Sequence, residues 1–115
     1  MRIAFVRTSV QYYNMVDEAV SPLFDWDKGN RAHCQKHGVP IAEIEALLRG
    51  TPQIAPDLKH AHLEDRLIAV GRTAQGRPLF VAFTIRVRFG QPTIRPVSAR
   101  YMHEREARNY EAQSS

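Results

Sequence analysis

The stretch from Arg77 to Arg88, RPLFVAFTIRVR, constrains the fold more than any other part of the chain. In extended backbone, successive side chains point to opposite faces. Leu79, Val81, Phe83, Ile85 and Val87 therefore fall on one side, and Phe80, Ala82, Thr84, Arg86 and Arg88 on the other. A helix, with its period near 3.6, would scatter both sets around its circumference. A strand of this length and apolarity needs neighbours on both edges. DRLIAVGRT (65–73) supplies one through the tight turn AQG, and TIRPVSAR (93–100) supplies the other after FGQP turns the chain. Pro96 has no N–H to donate, so the last strand is expected at an edge or with a bulge there. PQIAPDL (52–58) is a candidate fourth strand, weakened by its prolines.

Around this meander the period changes. DWDKGN (25–30) reads as a helix entry with Asp27 or Asn30 as N-cap, and RAHCQKH (31–37) as a short helix stopped by Gly38. VPIAEIEALLRG (39–50) reads as a second helix, with Pro40 near its first turn and Ile41, Ile44, Leu47 and Leu48 on one face. MHEREARNYEA (102–112) reads as the last helix. The expected class is α+β: two N-terminal helices, a three- to four-stranded antiparallel sheet and a C-terminal helix, with the helices on one face of the sheet. Residues 22–112 are expected to form one domain and 113–115 a frayed tail. Residues 1–21 show no sustained period and are expected to be an extension, with Met15 as the natural start.

Charge is distributed unevenly. Residues 1–65 carry seven Lys/Arg against nine Asp/Glu, whereas residues 66–103 carry seven arginines, no lysine and no acid. An arginine-only half points to an anionic partner, because the planar guanidinium matches phosphate and carboxylate oxygens. The other account of each arginine is an ion pair with an acid from the first half. A single cysteine, Cys34, excludes an internal disulfide and favours a reducing compartment. No apolar run approaches the ~20 residues that span a bilayer, so no membrane association and a cytoplasmic location are expected.

Three blocks, FDWDKGNRAHCQKHGVPIAEIEALL (24–48), HLEDRLIAVGRTAQGRPLFVAFTIR (62–86) and IRPVSARYMHEREARNYE (94–111), stand in an order and spacing that resemble the BrnT family. That family is the toxin half of a bacterial type II toxin–antitoxin pair. The resemblance runs over about residues 23–112. It implies a RelE-like fold, ribonuclease activity on messenger RNA, presented on ribosomes, that arrests translation, and neutralisation by a BrnA-like ribbon-helix-helix antitoxin. It further implies that operator DNA is contacted only through the antitoxin. Where many relatives carry Glu-Arg early in the last helix, this chain has Glu106-Ala107, with arginines at 105 and 108. That departure sustains a second reading, an inactive RelE-like binding module acting as corepressor. A third is a basic nucleic-acid-binding protein.

RNA cleavage without a metal needs a group to take the 2′-OH proton, cations to offset charge on the phosphate, and help for the leaving oxygen. Alternation puts Ser98 and Arg100 on one face, with Pro96, and Arg86 and Arg88 with Thr84. Arg66 and Arg72, six apart, also share a face. Ser98, Arg66, Arg72, Arg86 and Arg88, with Lys36, are the expected RNA-binding set. The catalytic candidates are Arg100, Glu106, His37 and Tyr110; Glu106 and Tyr110 are i,i+4 neighbours. His33, Cys34 and His37, with His60 and His62, could gather around a metal, but no Cys-x-x-Cys or His-Glu-x-x-His spacing supports it. No metal or cofactor is expected. Trp26 is expected as an anchor at the helix entry.

Overall fold

The computed structural model describes residues 23–60 and 65–113. The expected extension at 1–21 and the His62 of the histidine cluster lie outside them. The order is α1 (Lys28–Cys34), α2 (Ile41–Arg49), β1 (Gln53–Pro56), a 3-10 turn (Leu58–His60), β2 (Arg66–Arg72), β3 (Pro78–Arg88), β4 (Gln91–Tyr101) and α3 (Glu104–Gln113). The four strands form one antiparallel sheet in the order β1-β2-β3-β4. The α+β class is borne out, and PQIAPDL does contribute the fourth strand.

Asp27 caps α1, and with Asn30 it forms a reciprocal capping box. Asn30 is buried, and its Nδ2 also donates to the carbonyls of Asp25 and Pro96, which ties the helix entry to β4. The helix then ends sooner than expected. Beyond Cys34 the chain closes tight turns, with Lys36 N donating to His33 O and Gly38 N to Gln35 O, and Gly38 takes φ +83°. His37 is therefore in a turn and not on the helix expected over 31–37, which ends at Cys34. Trp26 is half-buried against the core and donates from Nε1 to Glu45 on α2 at 2.8 Å, an anchor as expected.

The two faces of the sheet carry separate apolar clusters. On one, Leu79, Val81, Phe83, Ala69, Ile54, Ile94 and Ala99 pack with Cys34, Val39, Ile44, Leu47 and Leu48 from α1, α2 and their connection. On the other, Ala55, Ile68, Val70 and Phe80 pack with Met102, Ala107 and Tyr110. The expectation that all helices share one face is thus corrected: α1 and α2 cover the first face and α3 the second. The physical reason is the small apolar side of α3, Ala107 with Tyr110 one turn on, which fits the short hydrophobic stripe of Ile68, Val70 and Phe80.

A bulge in β4 re-aims the strand. Ser98 pairs with Ala82 but Pro96 pairs with Phe83, so Val97 is the extra residue. Pro96 consequently turns to the core face and is fully buried there, while Ser98 and Arg100 lie on the α3 face beside Ala82 and Phe80. Sharing of a face by Pro96, Ser98 and Arg100 is thus corrected for Pro96 alone.

Candidate active site

α3 covers only part of its face, and a cleft opens beside it. The cleft, of about 390 Å³, lies between the sheet, α3 and residues 57–59. Ile68, Phe80 and Ala82 floor it. Arg66, Ser98 and Arg100 reach it from the strands, Glu106 and Tyr110 from α3, and Asp57, Leu58 and Lys59 from the segment after β1.

The centre of this cleft is a fork. Arg100 Nη1 donates to Glu106 Oε1 at 2.9 Å and Nη2 to Oε2 at 2.8 Å. The guanidinium lies over the Phe80 ring, 4.4 Å from its centroid, and Phe80 in turn is tilted against Tyr110 at 6.4 Å. A bidentate pair stacked on an aromatic ring fixes the orientation of Arg100 far better than a flexible surface contact would. Hydrogen bonding to Arg100 holds the Glu106 carboxyl below the usual glutamate range, against the opposing effect of burial. The same bond raises Arg100 further above its ordinary value. Burial and then the Glu106 charge push the Tyr110 hydroxyl above its usual range, so it stays protonated at neutral pH. Arg66 is half-buried at the cleft, and its Nε is buried without a hydrogen-bond partner.

Five of the expected residues, Arg66, Ser98, Arg100, Glu106 and Tyr110, meet in this cleft. Arg72 shares the face but is committed elsewhere. It makes a fork with Glu104 at 3.0 and 3.1 Å, a bond to Glu111 at 2.9 Å and another to the Gly76 carbonyl. Arg86 and Arg88 project from the β3–β4 hairpin, where Arg88 also pairs with Asp25 at 3.3 Å. Lys36 and His37 are exposed in the turn between α1 and α2, elements of the opposite face, and do not line the cleft. Cys34 is fully buried, and burial pushes its thiol up to about 11, so it is no ready metal ligand.

Phe80, Asp57 and Lys59 belong to the cleft without having been singled out. Alternation in RPLFVAFTIRVR already put Phe80 on the arginine-bearing face. Nothing local marks Asp57 or Lys59, whose position depends on where β1 docks at the sheet edge. Position 107, read as the site of a missing arginine, is a packing position: Ala107 is buried against the sheet, while Arg105 and Arg108 are exposed.

A fixed guanidinium beside further cations, a carboxylate and a protonated phenol can bind a phosphodiester, neutralise charge on it and exchange protons around it. A family model described as the ribonuclease toxin BrnT of type II toxin–antitoxin systems matches residues 26–106, which include every strand, α1, α2 and the Arg100–Glu106 pair. No curated protein and no solved structure matches the chain.

Proposed function

We propose, since the chain belongs to the BrnT family of ribonuclease toxins of type II toxin–antitoxin systems, that it cleaves messenger RNA in the cleft around Arg100 and is silenced by a partner that covers it. The fold is read as RelE-like and the site of action as the cytoplasm, where that RNA is translated. The observation that carries the reading is the Arg100–Glu106 fork, stacked on Phe80 in a cleft that also holds Arg66, Lys59, Ser98 and Tyr110.

In this account Arg100, Arg66 and Lys59 surround the scissile phosphate and offset its growing charge, the task a metal performs elsewhere. Glu106 holds Arg100 in place and its carboxylate takes the proton of the 2′-OH as that oxygen attacks phosphorus. The P–O5′ bond breaks, and Tyr110 gives its proton to the departing oxygen. Products are a 2′,3′-cyclic phosphate and a 5′-OH. Glu106 and Tyr110, one helical turn apart, then restore their protonation by passing the proton from acid to phenolate.

Partner recognition follows from charge. An antitoxin of ribbon-helix-helix type with an acidic tail would seat on the arginine-rich face, and operator DNA would be reached through that antitoxin. Expression of the chain alone is expected to stop growth, and co-expression of the neighbouring small gene to restore it. Unimpaired growth at good soluble expression would contradict the toxin reading.

One observation favours a second reading. Arg100 and Glu106 satisfy one another, which is also what a purely structural pair does. In that case the chain is an inactive binding module that acts as corepressor with its partner. Such a module cleaves no RNA, in the wild type or in Arg100→Ala.

A further inference from the structure

The β3–β4 hairpin outruns the sheet that carries it. Pairing of β2 with β3 stops at Arg66 opposite Thr84, so residues 85–88 and 91–94 pair with one another beyond the end of β2. At the tip, Arg88 pairs with Gln91 around a two-residue turn in which Phe89 has φ 54° and Gly90 has φ 73°. Both values are positive, as in the type I′ turn, where Asn, Asp or Gly ordinarily fills the first position. A phenylalanine there is strained, and it is 100% exposed. Val87 beside it is 73% exposed. Neither side chain contributes to a core, so the fold itself gives no reason for an aromatic at this point.

By register, the tip and the cleft lie along the same face of the sheet. Arg86 lies opposite Thr93, Thr84 lies between Arg66 and Arg95, and Ala82 lies opposite Ser98 in the cleft. Residues 66–103 contain arginines and no acid, and the acids that meet this stretch at Arg88 and Arg95 are Asp25 and Asp27. Midway along the face, Arg66 Nε and Thr84 Oγ1 are buried without hydrogen-bond partners in one cross-strand row with Arg95, which pairs with Asp25 at 3.6 Å and Asp27 at 2.9 Å, and Thr84 is only 2% exposed. Seven residues of strand separate Ala82 from Phe89, a span of roughly 23 Å.

We propose that this face is an extended track for single-stranded RNA, with Phe89 stacking on a base at its far end and Arg86 holding a phosphate on the way. The proposal rests on the ribonuclease reading and adds to it the part of the substrate that lies outside the cleft. Basic side chains that follow a backbone, with an aromatic platform for a base, are the two elements that single-strand binders combine. The span suits on the order of four nucleotides beyond the cleft, at the small end of such sites. The exposed ring favours RNA over a protein as the occupant, because the hairpin offers a flat stacking platform and no apolar groove.

The test compares a ten-nucleotide and a three-nucleotide RNA, both 2′-O-methylated to prevent cleavage, by fluorescence anisotropy. Phe89→Asn suits the left-handed turn and is expected to keep or raise Tm. It should weaken the ten-mer by about tenfold relative to the trimer, and Phe89→Trp should restore the difference. Arg86→Ala should weaken the ten-mer and make its salt dependence shallower by about 0.7 in the logarithmic slope. Unchanged ten-mer affinity in Phe89→Asn, or equal losses for both lengths, would overturn the track. So would a loss confined to antitoxin binding, which would make the tip a protein contact. Tip-dependent binding by a wild type that cleaves no RNA would remove the ribonuclease reading and leave the track standing. Cleavage indifferent to the tip would do the reverse.

Discussion

Arg100 owes its usefulness to three neighbours rather than to its own charge: Glu106 fixes both of its terminal nitrogens, and Phe80 with Tyr110 behind it supports the plane. Loss of one well-placed cation at a phosphate should lower cleavage by on the order of 10²-fold, with Arg100→Lys recovering little because an ammonium cannot form the fork. Steady-state cleavage of an oligoribonucleotide by the two variants checks this. Protonation gives a second check at the same scale. Glu106 is held below its ordinary 4.5 and Tyr110 is raised above its ordinary 10.0, so neither changes state between those values. Single-turnover rates should therefore lie on a plateau across neutral pH. A break within the neutral range would contradict Glu106 as the base. Ala107 shows how a residue can be seen in the sequence and misjudged. Its departure from the family pattern reads as a lost functional arginine, but whether a helical position faces solvent or sheet depends on which face of the sheet the helix covers. Here it faces the sheet, so Ala107→Arg should bury an unpaired charge and lower Tm by on the order of 10 °C, measured by thermal unfolding.

At the scale of elements, α3 is held by few apolar contacts. Ala107, Tyr110 and the preceding Met102 are its hydrophobic attachments, and the rest is ionic: Arg72 with Glu104 and Glu111, Arg100 with Glu106. Arg72 holds the Glu104 carboxyl below its ordinary value, as Arg100 does for Glu106. A carboxylate whose folded pKa is depressed contributes stability above its unfolded value, and that contribution is lost as pH falls through the folded one. The docking of α3 should thus be intact above about pH 4.5 and weaken below it, before the core of β2, β3 and β4 opens. Hydrogen exchange at pH 3.5 and pH 6 should show amides of 104–113 losing protection first; uniform loss across the chain would contradict this. Much of the architecture at this scale was legible beforehand. Alternation in RPLFVAFTIRVR and turn residues at AQG and FGQP mark strands that formed, and PQIAPDL formed one despite the prolines that weakened it. Pro96 marked a bulge correctly, yet its consequence, a reversal of faces between Pro96 and Ser98, needed the pairing register with β3. The side taken by α3 and the early end of α1 were not legible, since both follow from tertiary packing: α3 from the apolar stripe it meets, α1 from the chain's need to turn into α2.

For the molecule as a whole, the sheet divides labour between its faces. One is sealed by α1 and α2 and supplies the main core; the other is half-covered by α3 and keeps its arginines within reach of an anion. The arginine-only half of the chain was the clearest functional sign in the sequence, and the fold sorts it. Arg66 and Arg100 enter the cleft, Arg72 fastens α3, Arg77 stacks on Tyr101 at 3.5 Å, and Arg88 and Arg95 pair with Asp25 or Asp27. Composition alone could not separate these roles, because each depends on which acid or ring the fold brings near. The central claim is that the cleft around Arg100 cleaves RNA without a metal. It is tested most directly by incubating purified chain and its Arg100→Ala variant with a single-stranded RNA in the presence of EDTA and identifying the product ends. The account predicts 2′,3′-cyclic phosphate and 5′-OH ends from the wild type, with a loss on the order of 10²-fold in the variant at unchanged fold by circular dichroism. Equal cleavage by both proteins, or none by a folded wild type, would contradict it.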